Sequence, residues 1–232
     1  MVKKTDGGIL MKRIISLFLV AVMCISFGGC GKEKKAFEAG KAAYANIDIA
    51  YEITVKISGD IYEAWRLGIY DEDEIIEGGS AYLAKELSLS ANEIKAGAAY
   101  YVATMLEENW YEMSASEKQQ YIDAADAFFE VMKDDMFSYC VEIVVGAYTV
   151  NGEIKKAQDA LNAAKTQMKE MSQEYSDYEH YPNLKGYYTT TSSYFEFCSN
   201  PTGTFEQIKD TIKDYENKAR DYISELDYIF EE

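Results

Sequence analysis

Apolar positions recur at steps of three and four along most of this chain, the spacing that lays one side-chain face along an α-helix. From Lys35 to Gly68, the residues Phe37, Tyr44, Ile47, Tyr51, Val55, Ile61 and Trp65 fall mainly three, four or seven apart. The acidic corner "YDEDE" breaks the pattern, and a short amphipathic piece follows over Ile75 to Leu87. Ser90-Ala91-Asn92-Glu93 reads as a capping box, in which serine and glutamate each satisfy an orphan backbone N–H, and it opens a helix through "EIKAGAAYYVATMLEENW". Ser114-Ala115-Ser116-Glu117 is a second box and starts the longest periodic segment. Ile122, Ala125, Phe129, Met132 and Met136 form its first run. Cys140, Ile143, Ala147, Val150, Ile154, Ala157, Leu161, Ala164, Met168, Met171, Tyr175 and Tyr178 form the second. Consecutive steps of four where the runs meet, at Met136 and Cys140, predict a stutter that locally unwinds a supercoil. Asn151-Gly152 interrupts the helix chemically while the phase runs straight through it. One long helix with a weak point is the first expectation, and a turn is the alternative. "HYPN", from His180 to Asn183, is expected to end this segment, since the residue before proline avoids the α region. A further helix carries "LKGYYTTTSSYFEFC", "NPTGT" forms a hinge, and Thr204-Phe205-Glu206-Gln207 caps the last helix through Ile208 to Ile229.

Helix-forming Ala, Glu, Lys and Met are plentiful, the two prolines are Pro182 and Pro201, and no strand-like alternation bounded by hairpin turns is visible. The pattern predicts an all-α fold: an elongated helical bundle whose long helices pack like coiled coils. No Gly-, Ser- or Pro-rich linker divides it, so residues 36–232 are read as one domain.

The first residues follow a different logic. Lys12 and Arg13 precede an uncharged run of fourteen residues, Ile14 to Phe27. That length fits a signal-peptide core, whereas a membrane-spanning helix needs roughly 20 apolar residues. Phe27-Gly28-Gly29-Cys30 then resembles the lipobox of bacterial lipoproteins, with small residues at Gly28 and Gly29 before the cysteine and Phe27 where leucine is usual. The resemblance implies that 1–29 is a signal peptide, that the Cys30 thiol receives a diacylglyceryl group, and that cleavage leaves Cys30 first. Cys30 is then the lipid anchor, 30–35 a short basic tether, and the location the extracytoplasmic face of the cell membrane. Two acyl chains hold stably where one holds marginally. Ordinary secretory cleavage, with Cys30 incidental, is the competing reading. Translation is expected to start at Met11, because Gly7-Gly8 followed by Ile9-Leu10 reads like a purine-rich ribosome-binding site and its spacer.

Removing 1–29 leaves 203 residues with 19 basic and 39 acidic side chains, a net charge of −20. Such a surface repels nucleic-acid phosphates and anionic headgroups, so nucleic acid is excluded as a partner. Lys32, Lys34 and Lys35 are the exception, beside the anchor, where attraction to headgroups helps.

The remaining chemistry is sparse. His180 is the single histidine, which excludes paired Glu-x-x-His di-iron motifs and His-Glu-x-x-His zinc sites. No nucleophile elbow supports a triad built on it. Asp71 to Glu74 resemble a calcium loop only superficially, since Ile75 and Ile76 stand where the ligand at the fifth position and the glycine at the sixth belong, and a solvated acidic corner is the simpler reading. No catalytic, cofactor or metal residues are assigned, and no enzymatic activity is expected. Cys140 and Cys198 read as small buried hydrophobes, with a bridge chemically allowed outside the cytoplasm. Tyr175, Tyr178, Tyr181, Tyr187, Tyr188 and Tyr194 interleave with Thr189 to Ser193; their heptad spacing favours the core, and an exposed binding face is the alternative. Trp65 and Trp110 read as bundle anchors.

The stretch "DYEHYPNLKGYYTTTSSYFEFCSNPTGTFEQ", with "IYEAWRLGIY" upstream, resembles helical lipoproteins of Gram-positive bacteria and their prophages. That resemblance implies a helical fold and carries no activity or site residues. The expectation is therefore a lipid-anchored module working through protein contacts, with a protein partner at the envelope. A solute-binding surface lipoprotein and a prophage-type superinfection-exclusion lipoprotein are the alternatives.

Overall fold

The computed structural model describes residues 31–230, and these are all-α: nine α-helices, one 3-10 turn and no strand. The signal peptide and Cys30 lie outside the described residues. Helix α1 (Lys32–Tyr70) has 39 residues and so spans roughly 58 Å at 1.5 Å per residue. Its buried positions form stripes seven residues apart. Ala36, Ala43, Ala50, Ile57 and Ala64 make one; Ile47, Thr54, Ile61 and Gly68 another; Tyr44, Ser58 and Trp65, with half-buried Tyr51 in the same row, a third. The alanine stripe leaves room for a neighbouring backbone to come close, because dispersion contacts are made only at near van der Waals separation.

That neighbour is α6 (Met136–Val150) followed by α7 (Glu153–Glu174). Their pairings with α1 run in one antiparallel sense: Phe137 against Gly68, Tyr148 on Asp60, Gln167 on Asn46, and Tyr178, just beyond α7, against Gly40. The chain does break at Asn151-Gly152, where Gly152 adopts φ +86°, a conformation glycine reaches without a Cβ penalty. The expectation of one continuous helix is corrected to two helices laid end to end. The apolar phase survives because both halves cover the same side of α1. Asn151 stabilises the break: its Oδ1 accepts the Glu153 N–H at 3.1 Å, and its amide donates to Glu93 at 3.1 Å.

Two further boundaries differ from the sequence reading. The segment opened at Ser114 is divided into α4 (Ala115–Ala124), α5 (Ala127–Val131) and a 3-10 turn (Lys133–Asp135) before α6. The expected stutter at Met136 is instead a helix start, with Asp135 outside helical space at φ −139°, ψ 38°. Helix α7 ends at Glu174, and Pro182 sits in the first turn of α8 (Tyr181–Ser199), where its missing N–H costs nothing, so "HYPN" begins a helix.

The three capping boxes form as expected. Ser90 starts α3 (Ala91–Met105), Ser114 starts α4, and Thr204 starts α9 (Phe205–Phe230), each with reciprocal side-chain bonds to the residue three ahead. The Ser90 backbone N–H and hydroxyl hold the Glu93 carboxyl below its ordinary range. Helix α2 (Glu72–Glu86) bends at Gly79, φ +52°. Asp126 restores the interrupted bonding by accepting from the Ser80 N–H at 3.0 Å and the Ser80 hydroxyl at 2.6 Å. Burial opposes ionising Asp126, but Lys95 at 2.7 Å and the Ser80 bonds outweigh it and lower its pKa.

Helices α8 and α9 close the other side of α1. Helix α3 runs antiparallel to α6, crossing so closely that Gly97 and Gly146 meet backbone to backbone.

Candidate functional site

The tyrosine-rich stretch is core on its inner face. Tyr187 and Tyr194, one heptad apart on α8, are fully buried among Tyr44, Tyr51 and Tyr215. Burial of an aromatic ring carries its hydroxyl inward, and that hydroxyl then requires a partner. Tyr187 donates to Asp48 at 3.1 Å, Tyr194 to Ser58, Tyr44 to Asp227, and Tyr148 to Asp60 at 2.6 Å. Tyr139 and Thr191 keep buried hydroxyls with no hydrogen-bond partner among the described residues. Within this stretch Tyr187 and Tyr194 have their polar tips engaged inside the bundle, while Thr189 and Glu196 are exposed near α8's middle.

Burial pushes the phenols of Tyr139, Tyr148, Tyr187 and Tyr194 well above the ordinary tyrosine range. Raised folded-state values mean that the stability they contribute is complete below the unfolded value of about 10 and is lost as pH rises beyond it. Helix loss above about pH 10 is thus expected to coincide with a step in phenolate absorbance. Parallel circular dichroism and ultraviolet titrations check this; phenolate formation complete while helicity is intact would contradict it.

Cys140 and Cys198 are free, fully buried members of the principal core cluster. Burial raises the Cys140 thiol to about 12, which keeps it inert at neutral pH. Trp65 packs on Phe137 and Trp110 on Tyr100, both rings nearly buried, as anchors should be. Among the described residues no group of three or more His, Cys, Asp or Glu could hold a metal ion, and no helix is long and apolar enough to cross a membrane.

The two ends of α1 are chemically different. At the end where the chain enters from Gly31, Lys32 pairs with Asp177 at 3.0 Å and lowers the Asp177 pKa, while Lys34 and Lys35 are exposed. His180 stacks edge-on against Tyr178 at 5.2 Å and lines an open groove of about 660 Å³ with Glu179, Asn183, Glu225 and Tyr228. Phe230 closes this end against Phe37 and Tyr44.

The far end is formed by the C-terminus of α1, the N-terminus of α2, the C-terminus of α3 and the N-terminus of α6. Gly68 against Phe137 brings α1 to α6 there, and Tyr101 beside Tyr139 and near Asp135 brings α3. Large apolar side chains stand in solvent at this end: Ile69, Tyr70 (68% exposed), Met105, Leu106 (59%) and Phe137. Scattered exposed apolar residues are ordinary; five from three helices gathered at one end are a recognised mark of an interaction surface. Around them Glu72, Asp73, Glu74, Glu107, Glu108 and Asp134 are exposed. Asp71 to Glu74 thus remain a solvated corner, with Asp71 accepting from Tyr82 and pairing with Arg66 at 3.6 Å.

The sequence reading placed its one site residue at Cys30, outside the described residues, and missed the far end. Ile69, Tyr70, Met105 and Leu106 satisfy the helical apolar period, and only the helix ends found by folding show that they stay exposed among the described residues. No protein family, no curated protein and no solved structure matches this chain.

Proposed function

We propose that this chain is a lipid-anchored, extracytoplasmic helical bundle that acts through protein contacts and not through catalysis. In this reading Cys30 carries the acyl chains, Gly31 joins it directly to α1, whose first turn supplies Lys32, Lys34 and Lys35, and the bundle is elongated, with α1 and the α6–α7 pair packing like a coiled coil. The seven-residue stripes of Ala, Ile and Tyr on α1 support that packing. The observation that carries the proposal is the gathering of Ile69, Tyr70, Met105, Leu106 and Phe137 at the end of α1 away from Lys32. A tether at one end of a helix roughly 58 Å long holds the exposed apolar end clear of the headgroups, where a membrane or envelope protein can meet it.

Crosslinking in membranes, followed by recovery of the chain, tests this with the unmodified protein and Cys30→Ala. Defined partners are expected from the anchored protein and a large loss of yield from Cys30→Ala. The same partners at equal yield from the unanchored variant would sink the proposal.

A further inference from the structure

We infer that the far end of the bundle is a docking surface for a cationic amphipathic segment of a partner protein, an apolar stripe flanked by Lys or Arg; this rests on the proposed function and names the partner's chemistry. The apolar centre is Tyr70 on α1, Leu106 at the C-cap of α3 and Phe137 on α6, all exposed. Exposed carboxylates follow its residues directly in the chain, Glu72 to Glu74 after Tyr70 at the start of α2 and Glu107 with Glu108 after Leu106. The cations Arg66 and Lys133, near this end, are already engaged, by Glu63 and Asp71 and by Glu130. The surface therefore offers apolar contact inside an uncompensated negative rim.

That combination selects among occupants. A second copy of this end would set the same carboxylates against one another, at a cost that grows as water is excluded. An anionic lipid surface is repelled for the same reason. A basic amphipathic helix satisfies both parts, laying its apolar face over Tyr70, Leu106 and Phe137 while its cations reach the rim. Complementary charge also raises the encounter rate, in a salt-dependent way.

The test uses the purified full chain carrying Cys30→Ala, so that membrane location plays no part. Its probe is a fluorescent Leu/Lys amphipathic helical peptide about five turns long, with a Leu/Glu peptide of the same pattern as comparison. Anisotropy is expected to show saturable, salt-weakened binding of the Leu/Lys peptide alone. Tyr70→Ser with Leu106→Ser should weaken it about tenfold or more, since exposed aromatic and apolar anchors dominate such contacts. Glu107→Gln with Glu108→Gln should weaken it less and flatten the salt dependence. Asp210→Asn with Asp214→Asn on the exposed face of α9 should leave it unchanged. Circular dichroism matching the parent for each variant is expected, because every substituted side chain is exposed. Equal binding to the Tyr70/Leu106 variant, equal binding of the Leu/Glu peptide, or a dimer that the Tyr70/Leu106 change dissolves would each overturn the inference. Any of these alongside Cys30-dependent partners in membranes removes the cationic partner and leaves the anchored-module reading in place.

Discussion

Gly97→Ala is expected to lower the melting temperature by roughly 5–10 °C, the shift that about 2–3 kcal/mol of overpacking gives a chain of this size. A methyl group at Gly97 would meet the Ile143 carbonyl oxygen and lie 2.6 Å from the Ala147 nitrogen, and one at Gly146 would lie 2.6 Å from the Gly97 oxygen. All three are backbone atoms inside helices, so no rotamer change makes room, and α3 must move off α6 as a unit. The internal comparison is Gly59→Ala on α1. Nothing lies within 4 Å of a Cβ there, the site is exposed and helical, and alanine should stabilise by about 0.5–1 kcal/mol through its lower unfolded-state entropy. Thermal denaturation of the two variants should therefore move in opposite directions, and a neutral Gly97→Ala would refute the close crossing.

The second large effect is expected at Asp60. Asp60 is 5% exposed, and its carboxylate accepts from the Tyr148 hydroxyl at 2.6 Å and the Ser88 N–H at 3.0 Å, joining α1 to α6 and to the loop before α3. Asp60→Ala orphans the fully buried Tyr148 hydroxyl, worth about 1–3 kcal/mol when unsatisfied, and loses the bond from the N–H of the exposed Ser88, for a total of about 2–3 kcal/mol. Tyr148→Phe removes one donor and should cost about half of that. The double variant should cost less than the sum, because the two changes share one bond. Chemical denaturation of the four species checks this; strict additivity would mean that the Tyr148–Asp60 bond contributes nothing.

These two sites also show where sequence reasoning stopped. The capping boxes at Ser90, Ser114 and Thr204 were legible because their chemistry is local, complete within four residues. The core tyrosines were legible from heptad spacing. Asp60 was not: it sits in a periodic helix as one acidic residue among many, and only a partner 88 positions away marks it as buried. The Gly97–Gly146 crossing was equally silent, since glycine contributes nothing to an apolar pattern. The alanine stripe on α1 was overlooked in favour of the larger Phe37, Tyr51 and Val55, which the structure leaves half-buried. Phase continuity through Asn151-Gly152 was real, but phase reports which face is buried and not whether the backbone bonds are continuous. The apolar far end was invisible for the opposite reason: exposure depends on what other segments fail to cover.

If Cys30 fixes the location of this bundle, the mass of the N-terminal peptide from membrane-extracted protein carries the mark of it. The expected peptide begins at Cys30 and carries a thioether-linked diacylglyceryl group, absent from Cys30→Ala. A mature chain that begins elsewhere, or at Cys30 with an unmodified thiol, would contradict it.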